Sequence, residues 1–297
     1  MTSCTNATPR GDTAQGSPRP STSRPGGILQ PAVQQRYVTT GRTAADLGLD
    51  PWLEWYWTVR WDLPAGTSYD AAVLTHPSVN IAIESGHGPR HGFAMPAALV
   101  HGVVTRGFSV GLQGEGRVFG VKFRPGGFSA FTGLDPADLT DRVVRLADVF
   151  GDAAARFQAD TLSADDDTDR VAVADALLLE RRPEIDPRYE QLLSSITAMV
   201  ADRRLTSVEQ VAEHCGVGSR TLQRLFRRYV GVGPKWVLQR YRLLDAARLI
   251  DEGRAPDLAV LAAELGWYDQ SHFSRDFAQV VGMPPGAYAA AAARASS

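Results

Sequence analysis

The chain has 297 residues, with 31 Lys+Arg against 33 Asp+Glu and a formal net charge of -2. That balance excludes a uniformly basic nucleic-acid coat, and a 44% hydrophobic content fits an ordinary globular protein with room for about two domains. Two cysteines, Cys4 and Cys215, exclude a disulfide framework and a four-thiolate zinc site. No apolar run is long enough to span a membrane, and the N-terminus lacks the apolar core of a secretory signal. A cytoplasmic, nucleoid-associated protein is the expectation.

Residues 1–27 are rich in Ser, Thr, Pro and Gly and are expected to form a disordered tail. Residues 28–160 change character. Short runs such as WYWTVRW, SVNIAIES, HGVVTRGFSVGL and RVFGVKFRP read as strands of a β-rich domain, with SGHGPRHG as a loop. A helical pattern, LTDRVVRLADVFGDAAARF, follows Asp135-Pro136. Residues 161–186 read as a linker with a helix, opening on a solvated acidic junction at Asp165–Asp167. Residues 187–290 read as helices, and 291–297 as a tail. The expected fold class is α+β.

Regional charge shows what the total conceals. Residues 203–297 carry a net +4, the remainder −6, and residues 203–254 alone +6. Within that basic stretch, Thr206 with Glu209 fits a capping box, and a Gly216-Val217-Gly218 break separates two short helical patterns. Leu222, Leu225, Phe226 and Tyr229 fall on one face of the second helix. Arg220, Gln223, Arg224 and Arg227 repeat the same spacing on the opposite face. Arg bonds bidentately to guanine and Gln to adenine, and both reach phosphate, so such a face suits a major groove. A solvated surface face is the alternative.

A long helix is expected after Gly233-Pro234, with Trp236, Tyr241, Leu244, Ala247 and Leu249 in the core. The unit then repeats 50 residues on, Ser219 matching Asp269. In the second copy Phe273, Phe277 and Val280 point inward, Ser271, Ser274 and Arg275 outward, and Gln270 and His272 toward the edges.

VAEHCGVGSRTLQRLFRRYVGVGPKWVLQRYRLLDAARLI and ELGWYDQSHFSRDFAQVVGMPPGAY resemble the AraC/XylS family of bacterial transcriptional regulators over residues 187–290. The resemblance implies a double helix-turn-helix domain. It implies DNA contacts at Arg220, Thr221, Gln223, Arg224 and Arg227, and at Gln270, Ser271, His272, Ser274 and Arg275. Gly218 and Tyr268 stand at helix-start positions where the family commonly has Ser. VKFRPGG and the Asp-initiated helix after it resemble the β-rich, cupin-like sensor or dimerisation domain of some family members. The expected partners are double-stranded DNA, a small-molecule effector and RNA polymerase, with homodimerisation left open.

Trp52, Trp55, Tyr56, Trp57 and Trp61 either stack on a ligand or fill a β core. His76, His87, His91 and His101 invite a metal reading. His87 and His91 have i, i+4 spacing but sit in a Gly/Pro loop, and no His-x-His motif is present, so neither a metal nor a cofactor is expected. An enzyme-like cupin domain fused to DNA-binding helices is the alternative function; the leading expectation is a non-enzymatic, sequence-specific DNA-binding regulator responsive to an effector.

Overall fold

The computed structural model describes residues 17–296. After a single turn, α1 (Pro31–Gln34), come seven strands: β1 (Thr39–Thr43), β2 (Leu53–Asp62), β3 (Ser68–Val73), β4 (Asn80–Gly86), β5 (Ala97–His101), β6 (Phe108–Gln113) and β7 (Glu115–Phe123). The short helix α2 (Gly127–Thr132), strand β8 (Val143–Arg145) and helices α3 (Ala147–Phe150), α4 (Ala153–Ser163) and α5 (Asp167–Arg181) complete the first part. The chain is helical thereafter, so the fold is α+β as expected.

The strands form two antiparallel sheets. One has the order β1-β2-β7-β4-β5-β8, and the other pairs β3 with β6. Period-two alternation assigns the faces of the large sheet. Tyr56, Ile81, Ile83, Phe119, Val121 and Phe123 are buried in the main core, whose side chains run on into the helices. Trp55, Trp57, Val59, Trp61, Asn80, Glu84, Val118 and Lys122 face the small sheet and line a cavity. The aromatic alternatives are therefore divided by residue. Trp52 and Tyr56 are core, whereas Trp55, Trp57 and Trp61 wall the cavity.

Two glycines make that wall. Trp57 pairs with Gly120 and Trp61 with Gly116. A Cβ at Gly120 would lie 2.0 Å from the Trp57 ring, and one at Gly116 would lie 2.2 Å from Trp61. The indoles lie flat across β7 because no side chain stands there.

Several expectations need correction. The pattern over 139–157 begins as a strand: Val143, Val144 and Arg145 extend the sheet by pairing with β5. The helix expected within a linker is packed. Tyr56 donates to Asp175 of α5 at 2.7 Å, and Ala174 and Leu178 are buried beneath the sheet. The acidic junction is not simply solvated: Asp166 caps α5, and Asp167 accepts from Arg170 at 3.0 Å and from Arg60.

Of the polar tail, residues 1–16 lie outside the described residues. Residues 19–27, however, form a packed strap. Glu54 accepts from the Ser21 hydroxyl at 2.5 Å and from the Thr22 amide and hydroxyl, and Thr22 is fully buried. Polar bonds to buried carboxylates, rather than apolar area, order this segment.

The later helices are α6 (Pro187–Ala201), α7 (Val208–His214), α8 (Ser219–Tyr229), α9 (Pro234–Asp251), α10 (Leu258–Glu264), α11 (Gln270–Val281) and α12 (Pro285–Ser296). The cap of α7 is one residue later than expected. Ser207 accepts from the Gln210 amide, and the Gln210 side chain accepts from the Ser207 amide at 3.1 Å. Gly218 caps α8 without a side-chain bond, and Asp269 caps α11 by accepting from the His272 amide at 2.7 Å.

Candidate functional site

Two features could carry function: the polar faces of α8 and α11, and the cavity between the sheets. Leu222, Leu225, Phe226 and Tyr229 of α8 are buried, which turns the opposite stripe outward. Arg220, Gln223, Arg224 and Arg227 are exposed, with Thr221 half-buried beside them. On α11, burial of Phe273 and Phe277 leaves Gln270, Ser271, His272 and Arg275 exposed and Ser274 half-buried. Val280, expected inward, is half-buried.

The surplus of cations over 203–254 separates into two sets. Arg203 pairs with Asp245, Arg204 with Asp202, and Arg248 and Arg254 with Glu252. Arg242 donates to the carbonyls of Thr206 and Gly266, and Arg240 to those of Val104 and Thr105. These six are structural. Among the described residues, Arg220, Arg224, Arg227, Lys235 and, on α11, Arg275 form no ion pair, while Arg228 lies over the Tyr229 ring and its charge acts on Asp186. Exposed cations without a carboxylate partner can meet phosphate without first giving up an ion pair.

His272 is held within its own helix, its Nε2 lying 3.4 Å from Asp276. Asp276 also accepts from Gln239 of α9 at 2.6 Å and from the Trp267 indole at 2.8 Å. This carboxylate sets the seat of α11 on α9. One exposed residue was not singled out as a contact in the sequence: Tyr268, just before α11, is 94% exposed. An exposed aromatic ahead of a capped helix was the available signal.

The cavity measures about 260 Å³. Trp55, Trp57 and Trp61 form one wall, and Val73, Phe108 and Val110 of the small sheet lie opposite. Gly26, Gly27 and Ile28 of the strap lie along its edge. One region is cationic. Lys122 donates to Ser23 Oγ at 2.8 Å and lies 4.1 Å from the Trp55 ring, with Arg42 over the same ring at 4.6 Å. Burial pushes the Lys122 ammonium down to about 7, with Glu54 opposing and Arg42 adding to the shift. His76 is held well below its ordinary range by burial and by Lys122, and its Nε2 lies 2.8 Å from the Arg24 carbonyl.

Another region joins Glu84, Arg90, His91 and His101. His101 Nε2 lies 3.0 Å and His91 Nε2 3.4 Å from Glu84 Oε1, while Arg90 Nε donates to Oε2 at 2.9 Å. Burial alone would raise the Glu84 pKa, but the bonds to His101 and His91 hold it well below the carboxylate range. Sequence spacing pairs His91 with His87. In the fold His87 instead sits beside Gly114, against a separate surface groove, and His91 meets His101.

Comparison with known proteins divides the chain in the same place. A helix-turn-helix family model matches residues 211–291. An AraC-like transcription regulator of Streptomyces lividans is 40% identical over 85 residues, 29% of this chain and 28% of that protein. The C-terminal region is an AraC-type helix-turn-helix domain. The transcriptional activator RhaS of Escherichia fergusonii is 31% identical over 117 residues, 39% of this chain and 40% of its own. The chain thus spans well under half the length of these curated relatives, and within it the AraC-type domain carries α8 and α11. Residues 42–145, which supply most of the cavity lining, match a domain of unknown function, DUF6597. A solved structure of ToxT from Vibrio cholerae aligns over 85% of this chain and 98% of its own, at 11% identity and a TM-score of 0.40. No helix among the described residues is long and apolar enough to cross a membrane.

Proposed function

We propose that this chain is a sequence-specific DNA-binding transcription regulator. The observation that carries the proposal is the set of unpaired cations on α8, beside which six neighbouring cations are bonded within the protein. Arg220, Thr221, Gln223 and Arg224 of α8 read base edges in one major groove, with Arg227 on phosphate. Gln270, Ser271, His272, Ser274 and Arg275 of α11 serve the next groove on the same DNA face. Phosphate neutralisation supplies affinity, and the Arg and Gln side chains supply discrimination.

Selection of bound sequences from random DNA is the test. Two half-sites about one helical turn apart are expected. Arg224→Ala should lose about 1–3 kcal/mol at a single base pair and relax the preference there. Equal loss on scrambled DNA would remove the base-reading role.

The cavity in the β domain is assigned to a small effector. An aromatic wall with Lys122 and Arg42 beside it fits a flat or apolar molecule bearing an anionic group. Calorimetric titration of the full chain with candidate aromatic acids, with and without Lys122→Met, tests this part. Binding that is indifferent to Lys122 would exclude the anionic end.

A further inference from the structure

We infer that Glu84, His91 and His101 form a binding site for one first-row divalent cation of the zinc class, set in the wall of the effector cavity. Nothing in the DNA-binding proposal requires this site, and either can fail without the other.

The donor atoms come from three places in the chain and meet at one point. Glu84 lies on β4, His101 ends β5, and His91 sits in the loop between them. Their ligand atoms all lie within 4.8 Å of one another. Glu84 Oε1 stands 3.0 Å from one imidazole nitrogen and 3.4 Å from the other. Donors bound at about 2.0–2.2 Å around a tetrahedral or octahedral ion stand roughly 3.0–3.5 Å apart. Both carboxylate–imidazole separations already match that spacing; the two imidazoles, whose ligand atoms lie within 4.8 Å of one another, close on the ion as it binds.

The surroundings orient these donors. Arg90 occupies Glu84 Oε2 and also donates to the Ser85 carbonyl at 3.0 Å, which leaves Oε1 to the two imidazoles. Holding a ligating carboxylate through its second oxygen is what supporting residues do around bound metals. The His91 ring stacks on Phe108 at 5.8 Å and meets His101 edge-on at 4.7 Å. His91 itself has a φ of 54°, a left-handed conformation uncommon for residues bearing a Cβ, though less so for His than for most. Side-chain exposure is 4% for Glu84, 12% for His91 and 11% for His101, so bulk water competes weakly.

The donor set selects the class of ion. Two imidazoles and one carboxylate suit zinc, iron(II), cobalt or nickel, whereas calcium and magnesium prefer all-oxygen shells. Three protein ligands leave at least one coordination position open. All three residues line the cavity, so a donor atom of a cavity ligand can fill that position.

The test uses the full chain after chelator treatment, titrated with Zn²⁺ by calorimetry and with Co²⁺ by visible absorption. One equivalent of either ion should bind, with cobalt giving the ligand-field bands of a nitrogen- and oxygen-bound ion. His91→Ala and His101→Gln should each weaken Zn²⁺ binding by more than the roughly 10–100-fold typical of losing a supporting partner. His87→Ala, in the same loop but outside the triad, should leave binding unchanged. Circular dichroism of each metal-free variant separates ligand loss from unfolding. Should a variant unfold, the cobalt spectrum of the unaltered chain decides. Sub-stoichiometric uptake by the folded chain, uptake unaffected by the His91→Ala, His101→Gln double variant, or a preference for Ca²⁺ or Mg²⁺ would overturn the site. The cluster would then be a closed hydrogen-bonded network tying the loop to the sheet.

Discussion

Lys122 carries its ammonium group inside the protein, against Trp55 and Ser23. Burial brings its pKa from 10.5 down to about 7. Between those values the unfolded chain holds the additional proton, so folding stability rises with pH across that window. The slope is at most about 1.4 kcal/mol per pH unit. Lys122→Met should abolish this contribution, which urea unfolding at about pH 7 and about pH 9 will show. Tyr268 is the opposite case, an aromatic with almost no packing to lose. Tyr268→Ala should leave stability within about 0.5 kcal/mol, as surface changes do. If the ring touches DNA, affinity falls, and an unchanged dissociation constant would place it outside the interface. Single residues were unequally legible. Arg220 and Arg224 were readable because helical periodicity separates them from Leu222 and Phe226. Glu84 was not, since it sits within an apolar strand and meets His101 only through the pairing of β4 with β5.

At the scale of elements, α8 joins a buried stripe to a cationic one, and β2 joins a core face to a cavity face. Both follow from periodicity alone. The cavity face further depends on register, because Trp57 lies flat only where β7 presents Gly120. Gly120→Ala should displace the indole and cost about 1–3 kcal/mol, as overpacking does. Denaturant unfolding measures that cost, and loss of ligand binding at equal folding would locate the effect in the cavity wall. On α8, Arg227→Ala should reduce the salt dependence of DNA binding by about one phosphate contact, uniformly across sequences. No single-sequence pattern reveals register, which is why the sequence favours a filled β core for the tryptophans and leaves the ligand shelf as the alternative. The strand β8 was hidden for a related reason. Val143-Val144-Arg145 is too short to show a period and becomes a strand only because β5 offers an edge.

Across the whole molecule, the β domain and the AraC-type domain share one continuous core. α9, legible in the sequence as a long helix after Gly233-Pro234, is also the seat of the contact between the two parts. Arg240, buried within it, donates to the carbonyls of Val104, which itself lines the cavity, and Thr105, in the turn after β5. Gly126 packs so closely that a Cβ there would stand 2.7 Å from Leu192 and 3.0 Å from Tyr229. Thermal unfolding of the full chain should therefore be one transition rather than two, with calorimetric and van't Hoff enthalpies in agreement. Charge arithmetic marked the stretch that holds the exposed cations of α8 but overstated their number, since it could not distinguish the buried Arg240 from the exposed Arg224. Arg24 and Asp245 form a buried ion pair at 3.4 Å, joined by Arg203 at 2.8 Å. Arg24→Ala should cost on the order of 3 kcal/mol, because a buried carboxylate loses a partner.

The strap over residues 19–27 bears on how the protein is handled at the bench. Its composition invites trimming to residue 28 before expression or crystallisation. That cut would deprive Glu54 of Ser21 and Thr22, Asp245 of Arg24, Lys122 of Ser23 and Tyr241 of the Thr22 carbonyl. It would also unroof the cavity along Gly26 and Gly27. A shortened protein that precipitates, or whose cavity binds nothing, would be reporting the missing strap, not the behaviour of the domains it was meant to isolate.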